Sequence, residues 1–117
     1  MGYSITFASF SRSISTTEWS LVSDTSAGPD VDTNAGVYEG YIDVAALVAG
    51  DEFRIRVYEK ARAAGTQRLL EEWFIAGIQG SPLFITGEFL LGAGWDMTIL
   101  RLAGSDRTID WSIRQVT

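Results

Sequence analysis

Hydrophobic and polar residues alternate with a period of two in about eight short segments of the chain, separated by residues that favour turns. The clearest case is segment 52–58, in which Phe53, Ile55 and Val57 alternate with charged residues and a tyrosine. Segment 108–114 alternates in the same way and places Ile109 and Trp111 on one side, together with residue 113. A period of two is the spacing of a strand with one buried face. The pattern therefore predicts an all-β domain.

The connections between these segments predict how the strands are arranged. The connection around residues 63–66 is short and polar, so segments 52–58 and 69–75 are expected to form a hairpin. Residues 23–36 form a longer polar stretch, which is expected to cross between two sheets. Segment 43–50 begins with Asp43 and ends with Gly50, and this spacing predicts one short helical turn.

Eight strands, one long crossover and one helical turn predict a two-sheet antiparallel sandwich with jelly-roll topology. An immunoglobulin-like sandwich is the alternative, although its Cys–Trp–Cys signature is absent because the chain has no cysteine. With 117 residues, the chain has room for one core. We expect a single jelly-roll domain over residues 1–117, with residues 1–17 as a candidate extended arm.

Composition excludes most catalytic chemistry. The chain has no His and no Cys, so the usual general base, the thiol nucleophile and the common transition-metal ligands are missing. The net charge of −6 and the lack of a basic cluster argue against nucleic acid as a partner. No segment is long and apolar enough for a spanning helix, and the N-terminus lacks the features of a signal peptide. We expect a protein that is made in the cytoplasm and is neither an enzyme nor a cofactor or membrane binder.

Oxygen-bearing side chains recur at Asp30, Asp32 and Asn34, as they do at the start of a calcium loop. The glycine of such a loop falls one place late here, and Tyr41 occupies the position where a bidentate Glu would close the site. We therefore expect a solvated loop rich in Asx turns, and no metal site.

Two further patterns could carry function. Glu72, paired with Glu88 or Asp110, could supply the two carboxylates of a glycosidase, although surface acids explain them more simply. The four tryptophans could stack on sugars as in a carbohydrate-binding module, whereas core filling explains them if they are buried. These residues are Trp19, Trp73, Trp95 and Trp111.

A set of Arg and aromatic residues is the candidate surface for binding a protein partner, because Arg and Tyr are enriched at interface hot spots. A solvated sheet face with cross-strand ion pairs is the alternative interpretation of its central part. The candidates are Tyr3, Phe7, Phe10, Arg12, Arg54, Arg56, Tyr58, Arg62 and Arg68.

Four short motifs resemble those of small virion proteins of tailed bacteriophages. They are VYEK at 57–60, GTQR at 65–68, GWD at 94–96 and IDWSIRQV at 109–116. Together with the order of the short strands, they make the chain similar to jelly-roll capsid decoration, or cement, proteins.

The resemblance implies a non-enzymatic protein on the surface of a phage head. Such a protein binds the major capsid protein or other virion proteins, commonly as a homo-oligomer with a trimer favoured, and stabilises the assembled lattice. It brings no catalytic residues. A head-fibre or tail accessory domain, or a carbohydrate-binding β-sandwich module, remains the alternative.

Overall fold

The computed structural model describes residues 5–26 and 28–116, and these residues form eight strands and no helix. The candidate residue Tyr3 lies outside the described residues. The strands are β1 (Ile5–Ile14), β2 (Trp19–Ser20), β3 (Gly36–Asp43), β4 (Glu52–Lys60), β5 (Gln67–Ala76), β6 (Leu83–Leu91), β7 (Asp96–Ala103) and β8 (Arg107–Val116).

Two antiparallel four-stranded sheets make up the domain. Sheet A has the order β1-β8-β3-β6, and sheet B has the order β2-β7-β4-β5. The first strand pairs with the last, the second with the seventh, the third with the sixth, and the fourth with the fifth. Such a ribbon of antiparallel pairs, rolled into two packed sheets, is a jelly roll. The predicted sandwich, its topology and the β4–β5 hairpin are thereby confirmed, and the long connection after β2 does cross between the sheets.

Segment 43–50 differs from the sequence prediction, because it contains two successive tight turns where one helical turn was expected. The amide of Leu47 donates to the carbonyl of Val44 at 3.2 Å, and the amide of Asp51 donates to the carbonyl of Val48 at 3.1 Å. Both are bonds over three residues. The Asp51 carboxylate accepts the Val48 amide at 2.9 Å and so closes the second turn. The Asp43 carboxylate accepts a hydrogen bond from the backbone amide of Ala45 at 2.9 Å, as the N-cap residue of a helix would.

The core lies between the sheets and is built from the inward residues of every strand. Ile109, Trp111 and Ile113 are 0%, 4% and 4% exposed, so the predicted inward face of β8 is confirmed. The indole nitrogen of Trp111 donates to the carbonyl of Leu21 at 2.8 Å, and Phe10 packs on its ring at 5.6 Å between centroids. Trp111 therefore joins β8, β1 and the end of β2.

Strand β1 extends beyond the cover that sheet B provides. It meets sheet B mainly at β7, and β2, the edge strand of that sheet, is only two residues long. As a result Thr6 and Ala8 are exposed although they point to the same side as Phe10. Over Ile5–Ile14 the segment considered as an extended arm is a strand paired along its whole length with β8.

Candidate functional site

The outer face of sheet A, which points away from sheet B, carries a continuous apolar row. Ile5 lies opposite Val116, Val116 opposite Val37, and Val37 opposite Leu90, so the row crosses all four strands. Leu90 is 82% exposed and Ile5 is 46% exposed. Scattered exposed apolar residues are normal, but a contiguous apolar strip on a polar surface is typical of an interaction site.

A stacked arginine lies beside this row. Arg114 is directly opposite Phe7, and its guanidinium carbon is 4.5 Å from the centroid of the Phe7 ring and 3.7 Å from that of Tyr41. Its Nε donates to the hydroxyl of Ser112 at 3.1 Å. Arg stacks on aromatic faces because its charge is delocalised and weakly hydrated. The two rings therefore hold the guanidinium in one orientation. Of these groups, the sequence analysis had identified only Phe7.

Two pairs of like charges lie directly opposite each other on the same face. Glu39 faces Glu88, and Asp43 faces Asp110. Local hydrogen bonds offset part of the repulsion, because Glu39 accepts the hydroxyl of Tyr41 and Asp110 accepts that of Ser11. Like charges in opposed positions destabilise a sheet. Among the described residues of this face Arg114 is the one base, so the face combines an apolar row with an excess of carboxylates.

Three of the predicted partner-binding residues, Arg54, Arg56 and Tyr58, lie on the outer face of sheet B, and Arg56 and Tyr58 form hydrogen bonds within the chain. Arg56 donates to Glu72 at 2.7 Å and to the hydroxyl of Tyr58 at 3.2 Å. That hydroxyl donates to Glu18 at 2.6 Å, so the network crosses the sheet. Tyr58 is 8% exposed. Burial is the main cause that raises its pKa, and the hydrogen bond to Glu18 is the second.

Arg54 lies at the border of this network. Its Nε is buried without a hydrogen bond to any described residue, 3.8 Å from Glu72. Phe74 and Leu100 flank it in the register of the sheet. The alternative interpretation of this face, cross-strand ion pairs, describes the observed contacts, and a role in partner binding stays a prediction for these residues.

The other predicted partner residues are dispersed. Phe10 faces inward against Trp111. Arg12 donates to Asp24 at 3.0 Å and lies over the ring of Trp19, and the bond to Arg12 lowers the pKa of Asp24. Two more arginines, 62 and 68, are exposed, one in the β4–β5 turn and the other on β5. The fold therefore does not bring these residues together into one site.

In the loop at 30–34, the residues considered for calcium bond to the protein. The Asp30 carboxylate accepts the hydroxyls of Ser23 and Thr25. Asp32 accepts the amide of Asn34 at 2.8 Å, which is an Asx turn. Across the described residues, no three acidic side chains are grouped in a way that could hold a metal ion.

The carboxylates considered for glycosidase chemistry do not share a cleft. Glu72 lies on the outer face of sheet B, opposite Arg56, whereas Glu88 and Asp110 lie on the outer face of sheet A. The sandwich therefore separates Glu72 from both of its possible partners.

The tryptophans do not form an exposed stacking platform. Trp95 and Trp111 are buried, at 1% and 4% exposure. Trp73 is half-buried, and its ring meets those of Phe84 and Phe89 edge-on at 5.4 and 6.3 Å. Trp19 also packs against the core from a partly buried position. Core filling accounts for their placement.

A buried carboxylate, Asp96, ties the long loop to the start of β7. It is fully buried and accepts bonds from the hydroxyl of Ser20 at 2.8 Å and from the amides of Asp30 at 2.7 Å and Met97 at 2.9 Å. Burial nevertheless dominates and raises the pKa of Asp96 to about 6. The Asp96 carboxylate therefore anchors the long loop, and its pKa is raised although it accepts three hydrogen bonds.

Two other carboxylates organise loops. Asp51 is almost fully buried, accepts Arg107 at 2.7 Å and the amide of Ser105 at 3.2 Å, and these bonds lower its pKa to about 2. Glu59 accepts the amides of Gly92 at 2.8 Å and Gly94 at 2.9 Å, which turns the chain into β7. Sequence analysis missed both, because their partners lie far away in the sequence and no short motif marks them.

Comparisons with known proteins identify the fold and nothing finer. No protein-family model matches the chain, and no curated protein matches it. Among solved structures, a chain of a Bacillus endospore appendage superposes with a TM-score of 0.50 and 15% identity, over 97% of this chain and 88% of that chain. Those appendages are described as a family of disulfide-linked pili. Identity this low shows a shared fold alone. Among the described residues there is no helix that could cross a membrane.

Proposed function

We propose that this chain is a non-catalytic structural protein that binds an assembled protein lattice through the outer face of sheet A. The observation that carries the proposal is the apolar row from Ile5 to Leu90 beside the stacked Arg114. Buried apolar contacts supply affinity, and a fixed arginine is a common hot-spot residue. The partner that fits presents apolar side chains flanked by basic groups, which would relieve the opposed pairs Glu39–Glu88 and Asp43–Asp110.

More specifically, we propose that the lattice is the head of a tailed phage and that the chain decorates it. The motif resemblance supports this assignment, and so does the jelly-roll topology. A protein that binds only the assembled lattice stabilises that lattice by mass action. Such a protein needs a surface that binds the lattice and does not need an active site. In this proposal the partner is the major capsid protein, and the protein is located on the virion.

A pilus-like subunit that assembles with copies of itself is the second candidate. Its support is the shared fold with the endospore appendage chain over nearly the whole length. The present chain has no cysteine, so it could not form the disulfide links for which that family of pili is described. Electron microscopy of concentrated protein would show filaments in this case and dispersed particles in the first.

The test of the main proposal is co-sedimentation with heads of the phage that encodes the chain, prepared without it. We expect saturable binding of the natural chain and a higher temperature of head disruption. Leu90→Asp, in the apolar row, should weaken binding. Ile78→Asp is the matched control, because Ile78 is 76% exposed and lies in the β5–β6 connection, outside the apolar row. Absence of binding by the natural chain, or equal binding by both variants, would contradict the proposal.

A further inference from the structure

The free edge of β1 is the least protected of the four sheet edges. Proteins normally protect edges with short strands, charges, prolines or bulges, because an unpaired strand is a template for another chain. In sheet B, β2 has two residues, and β5 carries charged residues and a break in its pairing between Val57 and Tyr58. In sheet A, the pairing of β6 shifts near Gly87, which has φ of 83°.

Of these protections, strand β1 has only a single charged residue. It runs for ten residues in unbroken register with β8 and contains neither Pro nor Gly. Its one charged residue, Arg12, is paired with Asp24. All of its residues are exposed except Phe10 and Ile14. In a chain with a net charge of −6, this edge is also a place where two copies can approach without opposing carboxylates.

The sequence of β1 is complementary to itself in an antiparallel arrangement. With Ser9 opposite its own copy, Phe7 lies opposite Ser11 of the other copy and Ile5 lies opposite Ser13. On the inward side, Ala8 lies opposite Phe10. Each large side chain therefore meets a small one. Residues 5–13 are all paired, and no two charges are opposed.

We infer that β1 pairs with β1 of a second copy about a twofold axis at Ser9, joining two A sheets into one eight-stranded sheet. Such an interface is self-complementary, as twofold symmetry requires. Because residues on the same side of each strand meet, both outer faces point in the same direction. The dimer then presents two copies of the apolar row and of Arg114 to one lattice, which raises avidity. This pairing predicts even-numbered assemblies, whereas the resemblance favours a trimer.

Cysteine crosslinking tests the register directly, because the natural chain has no cysteine. Ser9→Cys places two thiols across the axis at a separation that a disulfide can span. Ser13→Cys is the matched control on the same strand. Its two copies would be about 27 Å apart, given eight residues of separation at about 3.4 Å each. We expect at least roughly tenfold more crosslinked dimer from Ser9→Cys than from Ser13→Cys under mild oxidation.

The second measurement is the mass in solution of the natural chain and of two lysine variants. The natural chain should approach twice its 12.8 kDa mass as concentration rises. Ser9→Lys should shift it to monomer, since two lysines would meet at the axis, and Ser105→Lys in the β7–β8 loop should not. A monomer at every concentration, equal crosslinking at both positions, or a dimer that resists Ser9→Lys would overturn the pairing. Neither measurement involves a lattice, so its outcome is separate from that of the co-sedimentation test.

Discussion

Arg114 and Tyr41 form the tightest cation–π contact of the outer face of sheet A, with 3.7 Å between the guanidinium carbon and the ring centroid. Phe7 covers the guanidinium from another side at 4.5 Å. The arginine is therefore held in place before a partner arrives, and little side-chain entropy is lost on binding.

Replacing Arg114 by Ala should weaken lattice binding at least about tenfold while changing stability by less than about 1 kcal/mol. The dissociation constant from co-sedimentation measures the first effect, and urea unfolding measures the second. Arg101→Ala, on β7 of sheet B, is the matched control and should leave binding unchanged. Equal affinity for both variants would remove Arg114 from the interface.

Tyr58→Phe should lower stability by about 1–2 kcal/mol and leave partner binding unaffected. Its hydroxyl donates to Glu18 at 2.6 Å within the chain, and removal leaves that carboxylate with one fewer donor. Denaturant unfolding and the binding assay together separate the two roles. Weaker binding with normal stability would show instead that Tyr58 contacts the partner.

Truncating Trp111 to Ala should destabilise the fold by about 3–5 kcal/mol, because it removes a 4% exposed side chain and its bond to the Leu21 carbonyl. Equilibrium unfolding in guanidinium gives the value. Trp19→Ala serves as a comparison, since Trp19 is only partly buried, and it should cost less. A loss below about 1 kcal/mol for Trp111→Ala would mean that the core does not depend on this ring.

Asp96 should make stability fall as pH rises from about 4 to about 7. Its pKa of about 6 in the folded state lies above the ordinary carboxyl value of 3.8 that applies in the unfolded chain, so the folded state binds the proton more tightly. That contribution is fully present below the unfolded value and is lost as pH rises through about 6. It amounts to about 3 kcal/mol. Asp96→Asn should flatten this part of the stability curve, although it gives up one accepted hydrogen bond. An unchanged slope in the variant would contradict the assignment.

Asp51 should make stability fall as the pH decreases in the acid range, which is the opposite of the effect of Asp96. Its pKa is lowered to about 2, chiefly by the bond from Arg107, so its stabilisation is present above 3.8 and is lost as pH falls towards about 2. Asp51→Asn should lower the melting temperature at pH 6. The melting temperature of the variant should also fall less than that of the natural chain when the pH is lowered towards about 2. The thermal transition followed by circular dichroism at several pH values measures both. If the melting temperature of the variant fell at low pH as steeply as that of the natural chain, this role of Asp51 would be refuted.

The alternation of apolar residues was enough to predict the strands, the β4–β5 hairpin and the inward face of β8, because a half-buried strand has a period of two. The turns at 44–51 were predicted less well. Asp43 and Gly50 fit a helix locally, but the long-range anchoring of Asp51 by Arg107 favours tight turns instead.

The candidate site could be predicted only in part. Phe7 was identified because it is an aromatic residue in the N-terminal segment that was considered as an extended arm. Tyr41 and Arg114 were missed, since they come together only through the register of β1, β8 and β3, which no local pattern specifies. Arg56 and Tyr58 were considered for a partner because their exposure could not be known. The fold pairs them with Glu72 and Glu18.

A reconstruction of decorated phage heads by electron cryomicroscopy would show which surface of the jelly roll meets the lattice. We expect the outer face of sheet A to lie against the capsid, with Leu90 and Arg114 within contact distance. Attachment through the outer face of sheet B, or through the loops alone, would contradict this expectation.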